Sequence, residues 1–159
     1  MFFTKHFHRQ EAPWEVIDSK TVNPIPMWDE DEGAPKPDEG QGHRWSDRSA
    51  AELDVVRMHN TNIHFKFVHD LRHVTDLRRA VQHARYQLMQ EAVRRNYNIM
   101  LLEGWHLTIM RKGKMYRVEV VYSGRPAYAM GKIAALPPPP FMGVLDHCQK
   151  ELHHHMPTQ

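Results

Sequence analysis

The amino-acid sequence predicts an α+β fold: a small β-α-β-β domain in which a long amphipathic helix packs on a β-hairpin sheet, flanked by extended proline-rich tails. Three patterns predict it. Ile63, Phe65 and Phe67 alternate with His64 and Lys66, the period of two that marks a half-buried strand. Leu77, Ala80, Val81, Ala84, Leu88 and Ala92 recur at helical spacing, with no Gly or Pro among them. Two alternating segments then flank Lys112-Gly113, a two-residue turn with glycine where a positive φ is needed.

Taken in chain order, residues 1–48 read as an acidic, proline-rich and mostly irregular arm. Asn23-Pro24-Ile25-Pro26 is extended or turn-like, because proline disfavours the helical region for the residue before it. The run from Asp29 to Gly40 mixes charge with Pro and Gly and lacks the apolar surface to fold. Trp14, Trp28 and Trp45 argue against disorder throughout the arm, since some of them are expected to dock on the domain.

The α+β domain is expected over 49–127. Ser49-Ala50-Ala51-Glu52 matches a capping box, so a short helix from about Ala50 to Met58 is expected. The strand Ile63–Phe67 follows, then the long helix, with Thr75 as N-cap, Asp76 in its first turn and Asn96 as a left-handed stop. In the hairpin, a Lys112-Gly113 turn pairs Ile109 with Tyr116, Leu107 with Val118 and Trp105 with Val120 on one face, which Tyr122 extends. The other face then pairs Met110 with Met115, Thr108 with Arg117 and His106 with Glu119. Ile99-Met100-Leu101-Leu102 either extends the first hairpin strand or bends away at Gly104. Residues 128–159 form a proline-rich C-terminal segment, whose run Pro137 to Pro140 is expected in polyproline II.

A family resemblance rests on two runs. Glu91-Ala92-Val93-Arg94-Arg95-Asn96-Tyr97-Asn98, followed by Ile99, and a hairpin closing on Val121-Tyr122-Ser123-Gly124-Arg125-Pro126-Ala127 resemble the YbjQ-like family of small domains named as heavy-metal binders. The likeness covers about a third of the chain. Asn96-Tyr97-Asn98 stands where that family favours glycine and alanine, and its glycine-rich hairpin segment is absent. The resemblance implies a β-α-β-β core able to oligomerise, and carries no catalytic residue across.

Charge is unevenly spread. From Met1 to Met58 seven Lys/Arg stand against twelve Asp/Glu, whereas from Leu71 to Lys132 twelve stand against four. Either the acidic arm screens its own domain, or the basic surface meets an acidic partner and the arm modulates access. Arg78, Arg79, Arg85, Arg94 and Arg95 on the helix, with Arg111, Lys112, Lys114 and Arg117 on the hairpin, make that basic surface. Arginine forks suit phosphates, so nucleic acid is one candidate partner. The hairpin aromatics, however, are assigned to the core, which removes the stacking platform of a single-strand binder.

Thirteen histidines are the compositional anomaly. His59, His64, His69 and His73 fall close together and are the candidate ligands for zinc or copper, although a structural zinc site wants four convergent ligands. Neither Cys-x-x-Cys nor His-Glu-x-x-His occurs. His106 facing Glu119 is a candidate acid–base pair without a nameable nucleophile, and ordinary cross-strand stabilisation explains it as well. Cys148 beside His147 sets a thiol next to a base, but neighbours in sequence seldom form a catalytic dyad. The proline run is either a ligand for a proline-recognising module or a stiff segment that carries Phe141 and Leu145 back onto the domain.

A single cysteine excludes an internal disulfide framework. No run approaches the length of a membrane span, and Met1–His8 is too short and polar for a secretory signal. The expected protein is therefore cytoplasmic or nuclear, non-enzymatic and without a resident cofactor. It is expected to act through self-association or contact with another macromolecule. The alternatives are a histidine-based metal binder and a basic nucleic-acid-binding domain.

Overall fold

The computed structural model describes residues 12–28, 54–131, 133 and 136–155. Its elements run β1 (Glu15–Pro26), β2 (Asp54–Met58), β3 (Ile63–Leu71), α1 (Asp76–Arg94), β4 (Ile99–Lys112), β5 (Met115–Met130) and α2 (Val144–His155). The five strands form one antiparallel sheet. β4 and β5 are its centre, β1 lies outside β4, and β3 and β2 lie end to end along the outside of β5.

This overturns the expected β-α-β-β unit with a helix on a hairpin sheet and extended tails. A two-stranded hairpin is marginal in water and leaves both edges bare, so long central strands recruit flanking ones. One recruit, β1, comes from the arm expected to be irregular, and the other, β2, stands where a short helix is expected. Pairing across β5 turns Asp54–Met58 into a strand. The capping motif Ser49–Glu52, the acidic run Asp29–Gly40 and Trp45 lie outside the described residues.

Both helices pack on one face of the sheet. α1 covers chiefly β5 and β3, placing Leu77, Ala80, Val81, Ala84, Leu88 and Ala92 in the core. α2 adds Leu145, Cys148 and Leu152 to the same core. From the sheet come Trp105, Leu107, Ile109, Tyr116, Val118, Val120 and Tyr122, all buried. The Trp105 indole N–H donates to the Pro140 carbonyl at 2.9 Å, which ties the end of the proline run to β4. Leu145 is thus brought back onto the domain, while Phe141 stays exposed.

The hairpin register differs from the expected one. Gly113-Lys114, not Lys112-Gly113, is the turn, and Lys112 pairs with Met115. Gly113 has φ 61° at the first central position, as a type II′ turn requires. Moving the turn by one residue shifts every partner by two: Ile109 meets Val118, Leu107 meets Val120 and Trp105 meets Tyr122. Because side chains alternate with period two, each strand keeps the same residues inward. Residues 99–102 extend β4, with a register shift between Met100 and Leu102.

Helix ends follow local chemistry. Thr75 occupies the N-cap position but makes no side-chain cap; instead Asp76 Oδ2 accepts the amides of His73 (2.9 Å) and Arg72 (3.2 Å). Asn96 takes the left-handed conformation, φ 61°, that stops α1.

A carboxylate is built deep into the core. Glu103, 1% exposed, accepts both prongs of the Arg85 guanidinium at 2.7 Å and the Tyr122 hydroxyl at 2.5 Å. Burial, then the Glu103 charge, pushes the Tyr122 hydroxyl far above its ordinary pKa. Both oxygens of the carboxylate meet donors and a cation lies against it, the condition under which a charge is tolerated inside.

Candidate functional site

The four candidate metal-binding histidines do not converge. β3 runs on to Leu71 and α1 starts only at Asp76, so His69 and His73 never share a helix. His64 and His69 are an odd number of residues apart on β3 and point to opposite faces. His69 stacks on Phe67 on the helix side, while His59 sits between β2 and β3 with Nδ1 2.7 Å from the Thr61 carbonyl. Among the described residues no group of three or more His, Cys, Asp or Glu is placed to hold a metal ion.

The basic residues are dispersed and mostly paired. Arg85 is in the core on Glu103. Arg78 bonds Asp146 of α2, Arg79 lies 3.6 Å from Asp76, and Arg94 lies 3.5 Å from Glu91. Arg111 meets Glu15 at 2.9 Å, and Arg117 meets Asp70 at 2.6 Å. Lys112 and Lys114 flank or form the hairpin turn. Arg111 lies on the helix-covered face of the sheet, opposite Tyr116, whereas Arg117 lies on the other face, and carboxylates distant in sequence answer Arg78, Arg85, Arg111 and Arg117.

His106 does not face Glu119. It pairs across the hairpin with Val121, and its two ring nitrogens meet the hydroxyls of Thr21 (2.7 Å) and Thr108 (3.1 Å). Glu119 instead binds Lys66 Nζ at 2.7 Å. The two-residue shift of the hairpin partners explains the change.

Cys148 and His147, about 100° apart around α2, do not face each other. His147 is exposed and 3.2 Å from Glu151, whereas Cys148 is 1% exposed. Burial first, then hydrogen bonding with the Asp18 carboxylate, pushes the Cys148 thiol up to about 11. It is protonated at neutral pH and poorly suited to attack. An open cleft of about 370 Å³ beside it is lined by Ile17, Asp18, Ile109, Glu151, Leu152 and His154.

The distinctive feature is the contrast between the sheet's outer edges. β1 is broken by register shifts between Val16 and Asp18 and between Val22 and Ile25. Pro24 and Pro26 remove two backbone donors there. The irregular stretch also crowds β4: a Cβ on Gly104 would lie 2.5 Å from Pro24 N and 2.6 Å from the Val22 carbonyl oxygen. Only glycine admits the crossing.

β3 shows the reverse. Its nine residues pair with β5 from Ile63↔Gly124 to Leu71↔Tyr116 without a shift, and contain neither Pro nor Gly. Among the described residues no strand lies on its outer side. Ile63, Phe65, Phe67, His69 and Leu71 face the helices, with the Phe67 ring 4.5 Å from that of His83 on α1. His64, Lys66, Val68 and Asp70 stand on the opposite face, and Val68 is 46% exposed. Behind them, Lys66 is held by Glu119 and Asp70 by Arg117, whose guanidinium lies 4.2 Å from the Trp14 ring centroid. The hydrogen bond from Arg117 holds the Asp70 carboxyl below its usual range. This continuous strand was legible in the Ile63–Phe67 alternation, but that it would be an outer edge was not.

No helix of the described residues is long and apolar enough to cross a membrane. Compared with protein-family models, curated proteins and solved structures, the chain matches none, and nothing found bears on the YbjQ-like resemblance.

Proposed function

We propose that this protein acts in the cytoplasm or nucleus by association rather than catalysis, with β3 receiving an extended strand from another chain. One observation carries the reading: β3 is a nine-residue edge in unbroken register, while the opposite edge is bulged and proline-bearing. An exposed row of N–H and C=O groups is a template for strand addition, in which main-chain bonds give affinity and alternate side chains give specificity. Dispersal and pairing of the arginines weigh against the nucleic-acid alternative, because a phosphate surface needs cations clustered on one side.

Selection of extended peptides from a random display library against the full chain tests the reading. Bound peptides should perturb the backbone amide resonances of Phe65 to Leu71 and leave those of β1 unmoved. Peptides that bind only elsewhere, or no binding at all, would sink it.

A further inference from the structure

We infer that a second copy of this chain can occupy the β3 edge, the two strands pairing antiparallel about a two-fold axis at Val68. The inference rests on the association reading above and adds the partner and the register. In such a pair the axis stands perpendicular to the sheet, so residues opposite each other come from the same face and both copies keep their helices on the same side.

Side-chain chemistry then selects among the neighbouring registers. An axis at Lys66 sets that lysine against its own copy, a like-charge contact that destabilises. An axis at Phe67 sets Lys66 against the apolar Val68 of the partner subunit. An axis at Val68 covers the exposed Val68 with its own copy and sets Lys66 opposite the partner's Asp70, once on each side of the axis. It also sets Phe67 opposite the partner's His69 and Phe65 opposite the partner's Leu71. The overlap runs from Phe65 to Leu71, all within β3.

The charges are already arranged for this register. Glu119 holds Lys66 from one side at 2.7 Å, and Arg117 holds Asp70 at 2.6 Å. Bringing Lys66 to the partner's Asp70 completes a row that alternates in sign across the joined sheet. Such complementarity favours one register over its neighbours more than it adds raw affinity.

The test uses the full chain in sedimentation velocity over a concentration series, together with cysteine cross-linking. Wild type should show a concentration-dependent dimer. Val68→Asp places like charges on the axis and should weaken that dimer about tenfold or more, with an unchanged far-ultraviolet circular dichroism spectrum. Val68→Cys should give an oxidised covalent dimer, and Phe67→Cys should not; the native Cys148 is buried in both. A dimer insensitive to Val68→Asp, or cross-linking through Phe67→Cys alone, overturns the register. A chain that stays monomeric overturns self-pairing. If that monomer still binds extended peptides at β3, the association reading stands without it; if it binds none, both fall.

Discussion

The two outer edges of this sheet solve the same problem in opposite ways. β1 carries two register shifts and two prolines, and its irregular stretch rides over Gly104. β3 carries none of these and presents its backbone in one uninterrupted row. Natural sheets usually blunt an edge with bulges, prolines or charges. β1 uses the first two. β3 has only the charges of Lys66 and Asp70, and both are already drawn toward β5, to Glu119 and Arg117. The difference teaches that openness at an edge is read from the regularity of its pairing rather than from its hydrophobicity, since β1 also exposes Val16 and Ile17.

The strongest test concerns the centre that both edges share. Arg85→Met leaves the buried Glu103 carboxylate without its cation, and breaking a buried pair from one side costs about 3–5 kcal/mol. Urea unfolding should show that loss. A variant as stable as wild type would mean that the centre does not depend on this pair, and that edge effects could not be separated from it.

Next comes the defended edge. Gly104→Ala forces the β1 backbone away from β4, with an expected cost of about 1–3 kcal/mol from overpacking. Hydrogen exchange should quicken in β1 and remain slow in β3. Equal quickening of both edges would show that they are not independent.

A smaller effect probes the start of α1, the helix that covers β3. Burial alone would raise the Asp76 carboxyl, but the amides of His73 and Arg72 outweigh it and hold the group below its ordinary value. A depressed carboxylate contributes stability that is present above its unfolded value, near about 3.9, and is lost as pH falls through the lower folded value. Asp76→Asn should therefore cost about 1 kcal/mol at neutral pH. Its difference from wild type should shrink in acid below that range. A gap that stays constant down the acid titration would remove Asp76 as the source.

The smallest effect is the sharpest for the comparison. At concentrations where the chain is monomeric, Val68→Asp should cost only about 0.5 kcal/mol, because the site is exposed and its one new like-charge contact is Glu119, opposite it on β5. A large loss there would show that β3 needs this side chain for its own folding.

The sequence by itself determined the elements whose evidence is local. The α1 stripe, its stop at Asn96, and the inward set Trp105, Leu107, Ile109, Tyr116, Val118 and Val120 follow from periodicity and side-chain preference alone. Leu145, Cys148 and Leu152 carry the same spacing, yet α2 stands where only a proline-rich segment is expected, because three apolar positions among polar neighbours are too few to mark a helix. β1 was hidden because its bulges put it out of phase with any period, and its inward positions include Asp18 and Lys20 beside α2. Only the tertiary structure decided the hairpin partners, since a shift of two residues leaves every side chain on the same face. It alone decided that His64 and His69 diverge, and that Arg85 belongs to the core. Which strand would be left outermost was also its decision, because edge position depends on every strand's neighbours, and no segment encodes its neighbours in its own pattern.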